Sequence, residues 1–320
     1  MDRDPSLCVL GGGVGAARLL AGLDAAGFGA QTTAIVNTGD DTWIHGLRVC
    51  PDLDTITYTL AGLVNPAMGW GIAPETHSAL AMLRRLGAET WFTLGDRDIG
   101  LHLYRTERLR GGERLSTITR DIVRSLGVRI TLIPMTDDEV ATTVLARFPA
   151  GDVRELAFQE YFVRHRHQPH VERISYAGIE RATPLPAAMA ALESADLVVI
   201  APSNPFLSVF PIIALAGVAD LLAARRDRVV VVTPIVDGRA LKGPLADLLV
   251  DFGLEVSALA IAELYAPYAA HFVLDERDSH LSEGVRSHGL EPLLADTLIA
   301  EVPAARRLAT TIVERASRPR

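Results

Sequence analysis

The stretch NTGDDTWIHGLRVCPDLDT, residues 37–55, carries Asp40, Asp41, Asp52 and Asp54 with only His45 and Arg48 to offset them, directly after the apolar run TTAIV. Two like charges about 4 Å apart repel by roughly 1 kcal/mol in water and by about 4 kcal/mol at the effective dielectric of a protein surface. Carboxylates brought together therefore need a partner. Mg²⁺ suits them where phosphate is also present, because that ion takes one or two carboxylates together with phosphate oxygens and water. The same aspartates would also serve as solvated loop and helix N-cap residues, and Asp54 is placed to cap a helix starting at Thr55.

A phosphate site is offered by GGGVGAA, residues 11–17, which satisfies GxGxxA through Gly11, Gly13 and Ala16. Glycines permit a tight turn and close backbone approach, and the free N–H groups of a following helix attract phosphate. There is no GK[ST], which excludes a Walker loop, and the second strand ends in Asn37 where a dinucleotide-binding protein usually places an acid for the ribose. A glycine turn that merely packs helix on strand is the plainer reading. If GDD and DLD fold back toward this turn they meet the phosphates it holds, and a cation reconciles the charges.

Three further stretches bear chemistry. LGDRDIG, residues 94–100, sets Arg97 between Asp96 and Asp98, where carboxylates could aim its fork at a phosphate or carbonyl, or simply form surface ion pairs. APSNPFLS places Ser203 and Asn204 after an apolar strand, at the end where such sheets bind ligands. Trp43, Trp70 and Trp91 could stack on a planar ring but serve more simply as packing. LDERD, residues 274–278, reads as a solvated strand end, and His165, His167 and His170 as a polar surface without metal spacing.

These positions need a frame. SLCVL, a glycine turn, a helix carrying Leu19, Leu20 and Leu23, and TTAIV open a βαβ unit. Helical patterns follow to Leu126, then a strand ending at Pro134. Residues 136–185 change texture: ATTVLARF, VRELAFQEYFV and HVERISYAG alternate as half-buried antiparallel strands do. The α/β rhythm resumes with DLVVIA and RVVVVTP, continuous apolar strands of a parallel sheet covered on both faces. The expected fold is α/β, a doubly wound Rossmann-like parallel sheet with helices on both faces. Its core spans 1–135 and 186–320, with a small β-rich insertion at 136–185.

The 320 residues carry a formal charge of −8, which argues against a nucleic-acid partner, since such binding rests on basic surface. FLSVFPIIALAGVADLLAA contains Pro211 and Asp220 and reads as buried helix rather than a membrane span. The N-terminus shows no secretory pattern, and Cys8 and Cys50 are too few for a disulfide framework, so the cytoplasm is expected.

Taken together, GGGVGAARLL, VNTGDD, CPDLDTITYTLAG, WGI, LGDRD, APSNP and DERD resemble, in order and over nearly the whole chain, the 2-phospho-L-lactate transferase family of coenzyme F420 biosynthesis. Members join the deazaflavin alcohol Fo to a phosphorylated three-carbon acid, phospholactate or phosphoenolpyruvate, carried as its guanosine diphosphate derivative, and release GMP. The resemblance implies that Asp54 contacts Fo or the metal and acts in catalysis, and that Arg97 contacts Fo. It implies donor binding by Gly11, Gly12, Gly13, Gly15, Ser203 and Asn204, with Asn37 beside them. Asp41 and Asp54 would hold Mg²⁺, and the chain would form a homodimer. Many relatives show threonine at the third place of the glycine turn, where this chain has Gly13. A different outcome would be a non-catalytic regulator similar to the YvcK-type proteins, which share the fold and bind a nucleotide sugar.

Overall fold

The computed structural model describes residues 4–241 and 243–316; the first three residues of the N-terminal stretch lie outside them. The chain runs β1 (Leu7–Gly11), α1 (Gly13–Ala25), β2 (Thr32–Val36), a hairpin of β3 (Thr42–Ile44) and β4 (Leu47–Val49), then α2 (Pro51–Leu60), α3 (Ser78–Arg85), α4 (Asp96–Arg110), α5 (Leu115–Ser125) and β5 (Thr131–Pro134). β6 (Ala141–Arg147), β7 (Val153–Ala157) and β8 (His170–Ala177) form a separate antiparallel sheet in the order β7-β6-β8. α6 (Pro186–Ser194), β9 (Leu197–Ile200), α7 (Phe210–Ile213), α8 (Val218–Ala224) and β10 (Val229–Val232) resume the alternation. A small hairpin of β11 (Ile235–Val236) and β12 (Arg239–Ala240), α9 (Leu245–Asp251), α10 (Ala258–Tyr265), β13 (His271–Asp275), α11 (Ser282–Ser287), β14 (Glu291–Ala295) and α12 (Val302–Ala316) complete it.

The central sheet is seven-stranded and parallel, in the order β14-β13-β10-β9-β1-β2-β5. Alternate residues of each strand feed two different cores: Cys8, Leu10, Val198, Ile200 and Val231 one face, Leu7, Val9, Leu197, Val199 and Val230 the other. This is why the strands are apolar at every position rather than at every second one. The inserted sheet behaves oppositely. Along β6 buried and less buried residues alternate, and its inner face shares a cluster with Leu207 and Leu248 of the main body. Among the described residues no single helix is long and apolar enough to cross a membrane; only the bent pair Pro205–Ile213 and Val218–Ala224 matches in length and composition, and most of its residues are buried.

The topology sets the place of the site. β1 leads outward on one side to β2 and β5, whereas β9 starts the run to β10, β13 and β14 on the other. The chain thus diverges between β1 and β9, and doubly wound sheets take ligands in the crevice beyond the carboxyl ends of such strands. GGGVG leaves β1 there and PSNP leaves β9.

Candidate active site

A cleft of about 620 Å³ opens at this divergence. The glycine turn lines it, and the side chains are absent there for different reasons. Gly13 adopts φ +64°, a left-handed conformation that costs an L-residue roughly 1–2 kcal/mol. A Cβ on Gly12 would stand 1.8 Å from Asp52 Oδ2, and one on Gly15 2.1 Å from the Pro202 carbonyl oxygen. Ser203 ties the two loops together: its hydroxyl donates to the Gly12 carbonyl at 2.8 Å and accepts from the Gly12 N–H at 3.3 Å. Asn204 Oδ1 accepts from the N–H groups of Phe206 and Leu207, while its Nδ2 lies buried with no partner among the described residues. Arg18, one turn into α1, lines the same cleft with no ion pair among the described residues. It is a cation at the end of a helix whose N–H groups already favour an anion.

The acidic segment folds back toward this turn, as the charge pattern anticipates. Asp52 packs on Gly12, and its Oδ2 accepts from Asn37 Nδ2 at 2.9 Å; Asn37 also donates to the Leu207 carbonyl. Asn37 is thus a buried brace behind the cleft rather than part of its wall. The helix expected from Thr55 begins at Pro51, because a proline at the first turn supplies a preset φ and Asp52 and Asp54 suit the helix's positive end. Both aspartates therefore sit on a rigid helix, not a loop. Asp54 accepts from the Cys50 N–H at 3.1 Å, serving the helix start from within, and faces the cleft as well.

Opposite Asp54 stands α4, whose buried positions are Asp98, His102, Arg105 and Thr106. Spacings of four, three and one put these on one helical face, so α4 buries a polar stripe where an apolar one is usual. Arg105 donates from Nη1 and Nη2 to the two oxygens of Asp54, a bidentate pair sealed from water. His102 Nδ1 lies 3.2 Å from Arg105 Nη1 and 3.7 Å from Asp54 Oδ2. Arg105 and His102 were missed from sequence reasoning; the signal available was polar residues recurring on the helical period.

Six of the site residues implied by the family resemblance line the cleft together: Gly12, Gly13, Gly15, Asp54, Ser203 and Asn204. Gly11 closes β1 beneath Ser203. From GDRD it is Asp98 that lines the wall; Arg97 is exposed, outside it, and Asp96 instead accepts from Ser78 and Ala79 at the start of α3. Asp41 lies in an adjoining cleft with Trp43, its carboxylate 3.4 Å from Arg48. Asp40 borders both clefts.

Two carboxylate oxygens are free for a hard cation, although among the described residues no three metal-ligating side chains stand grouped as a formed site. Asp40 Oδ1 and Asp41 Oδ1 are buried without a hydrogen-bond partner among the described residues, whereas Arg105 engages both oxygens of Asp54. Burial, with Asp52 close by, holds the Asp40 carboxyl well above its ordinary value. Burial also pushes Asp52 up to about 6, and Asp41 up to about 7 against the pull of Arg48. Burial lowers His102 to about 4 despite the nearby Asp54.

These shifts fix a pH dependence. The folded chain holds more protons than the unfolded one on Asp40, Asp41 and Asp52; the contribution of Asp41 and Asp52 to stability is full below about 4 and is lost as pH rises through about 6–7, and that of Asp40 acts in the same direction. His102 acts oppositely, its contribution being lost as pH falls below about 6.5. In chelator the melting temperature is expected to rise by a few degrees as pH falls from about 8 to 6.5, on the order of 1–3 kcal/mol, and then to level off. Differential scanning fluorimetry checks this, and Asp41→Asn should flatten the upper limb. A melting temperature that climbs with pH across that window would contradict it.

Elsewhere the outcome is mixed. Of the tryptophans, Trp70 lines the cleft, Trp43 stands exposed on the β3–β4 hairpin and Trp91 packs on Phe92. LDERD is not a solvated strand end: Asp275 is wholly buried because the Thr297 N–H and hydroxyl donate to its Oδ2 at 2.8 and 2.9 Å. His167 and His170 form a polar surface, each beside an α9 carboxylate, Asp247 or Asp251.

A doubly wound sheet whose divergence point holds a glycine turn against a carboxylate-lined cleft defines an α/β protein with a ligand cleft at the sheet edge where such folds bind. The family model of the 2-phospho-L-lactate transferase CofD matches residues 7–313. The chain is 39% identical over 302 residues to a phosphoenolpyruvate transferase of Nocardia farcinica, covering 93% of this chain and 91% of that one. It is 37% identical over 317 residues to another from Kitasatospora aureofaciens, covering 98% of each. A crystal structure of a UPF0052-family protein from Bacillus halodurans superposes with a TM-score of 0.62 at 15% identity, over 98% of this chain and all of that one, a likeness of fold. The chain belongs to the CofD family and is a transferase of coenzyme F420 biosynthesis.

Proposed function

We propose that the chain transfers a phosphorylated three-carbon acid from its guanosine diphosphate derivative to the terminal ribityl hydroxyl of Fo, releasing GMP. The observation that carries this reading is the mixed lining of one cleft. The aromatic and ionisable groups Tyr58, Trp70, Phe92, Asp98 and His102 line it together with the glycine turn, Arg18, Ser203 and the Leu298 to Ala300 segment. Such a lining suits a planar acceptor, a diphosphate and a nucleoside held in one cleft. Phosphoenolpyruvate is the acid favoured by the names of the similar proteins.

In this reading the ribityl oxygen attacks the phosphorus nearer the acid, the bond to the bridging oxygen breaks, and GMP leaves with that oxygen. The turn's N–H groups and Arg18 hold the phosphate oxygens and cost no reorganisation as charge shifts. Asp54 takes the hydroxyl proton. Little help from a base is needed, because a loose phosphoryl transition state calls for positioning and charge neutralisation more than bond-making help. Mg²⁺ would be held by the acidic segment and would neutralise the diphosphate. Asp40 presents a free oxygen for it beside Asp52, and Asp41 would add its own free Oδ1.

The test is to incubate the purified chain with Fo, Mg²⁺ and each guanosine donor and to follow GMP and the Fo adduct by mass spectrometry. GMP formed in step with adduct is expected, and its loss in chelator. A chain that binds a nucleotide sugar but makes no GMP with either donor would instead be a regulator.

A further inference from the structure

The polar stripe on α4 carries a consequence for His102. A guanidinium has donors and no acceptor, so the Arg105 N–H directed at His102 Nδ1 finds a lone pair there, and the proton of the neutral ring sits on Nε2. Arg105 has no freedom to withdraw, since Asp54 holds both its terminal nitrogens and the Arg48 carbonyl accepts from Nη1 at 3.3 Å. His102 is 2% exposed and lines the cleft, and its Nε2 has no hydrogen-bond partner among the described residues. Nε2 is not among the buried unpaired atoms, so this donor opens onto the cleft, where an acceptor on a ligand can meet it. Tyr58, Trp70 and Phe92 line the same cleft and offer aromatic faces on which a flat ring can stack.

We propose that His102 is a specificity residue: its Nε2–H, oriented through the chain Asp54, Arg105, His102, donates to a ring carbonyl of the planar acceptor. It follows that His102 does not act as the base for the attacking hydroxyl, because the only nitrogen able to accept a proton faces Arg105. This inference rests on the acceptor assignment made above, and it distinguishes a heteroaromatic dione from an aromatic ring that lacks an acceptor at that edge.

The test uses the full chain and Fo itself, titrated by deazaflavin fluorescence without donor. His102→Leu is expected to weaken Fo about ten- to a hundredfold, the loss from stranding one polar partner, and to raise KM for Fo with KM for the guanosine donor unchanged. His102→Gln, whose amide can donate from the same region, is expected to recover most of that loss and controls for folding. Nitrogen-15 spectra of the ligand-free chain should show the His102 ring protonated at Nε2. A ring protonated at Nδ1, Fo affinity of the Leu variant within twofold of wild type, or an equal rise in both KM values would each overturn the donor role. A wild-type chain that does not bind Fo would overturn the acceptor assignment as well, which sets that failure apart from the others.

Discussion

Asp54→Asn is expected to lower transfer by at least about a thousandfold at saturating Mg²⁺, through two effects that one further variant separates. Asp54 is the hub of the cleft wall: it receives both terminal nitrogens of Arg105, accepts from Cys50 N–H, and lies 3.7 Å from His102. An asparagine keeps the volume but removes the charge, which leaves the Arg105 guanidinium buried and unpaired. Breaking a buried pair from one side costs about 3–5 kcal/mol. A proton-transfer group in the transition state is worth about 10²–10⁴-fold in rate. The double variant Asp54→Asn/Arg105→Met removes the stranded charge and should melt within a few degrees of wild type, since replacing a whole buried pair by apolar packing is often neutral. It should still be inactive. Turnover regained in the double variant would show that Asp54 matters only as the partner of Arg105, and near-normal turnover in the single variant would refute both roles.

The contrast between Asp54 and Arg105 also shows what the sequence discloses. The apolar runs of β1, β2, β9 and β10 are legible because burial on both faces leaves no polar position in them. The glycine turn and PSNP are legible because they stand where those strands end. The alternation of β6 likewise marks the insertion. The hairpin within the acidic segment is less so: its turn at His45 and Gly46, at φ +51° and +77°, is two residues long, and His-Gly is not one of the Asn-Gly or Asp-Gly pairs that signal such a turn. The partner of Asp54 lies 51 residues away on a helix whose buried stripe is polar, so an apolar-period reading passes over it. Arg97, by contrast, stands out as an arginine between two carboxylates. Yet Asp96 is taken by the start of α3, and the N–H groups of Arg97 and Asp98 are met by Glu75, so among the described residues no carboxylate clasps the arginine side chain as the local pattern anticipates.

Gly15→Ala is expected to be the most disruptive single substitution in the glycine turn, and to act through the backbone of a different loop. The new Cβ would lie 2.1 Å from the Pro202 carbonyl oxygen and 2.9 Å from its carbon. Neither atom is the end of a movable side chain: Pro202 is followed by Ser203, which is fastened to Gly12, and by Asn204, whose carbonyl oxygen caps the next turn. Relief therefore requires α1 to move away from β9's loop, which widens the space between the two elements meant to grip one phosphate. Overpacking of this kind costs about 1–3 kcal/mol, and a backbone-to-backbone clash belongs at or above the upper end, a fall of roughly 5–10 °C in melting temperature. Gly13→Ala separates the possible causes. It pays only for a left-handed residue, about 1–2 kcal/mol, because its Cβ would meet nothing nearer than Asp52 Oδ1 at 3.6 Å. If close approach of the loops is what the turn provides, Gly15→Ala should raise KM for the guanosine donor tenfold or more and Gly13→Ala much less, with Fo affinity nearly unchanged in both. Equal effects from the two would mean that the glycines serve turn conformation alone, and that phosphate is held by some other part of the cleft.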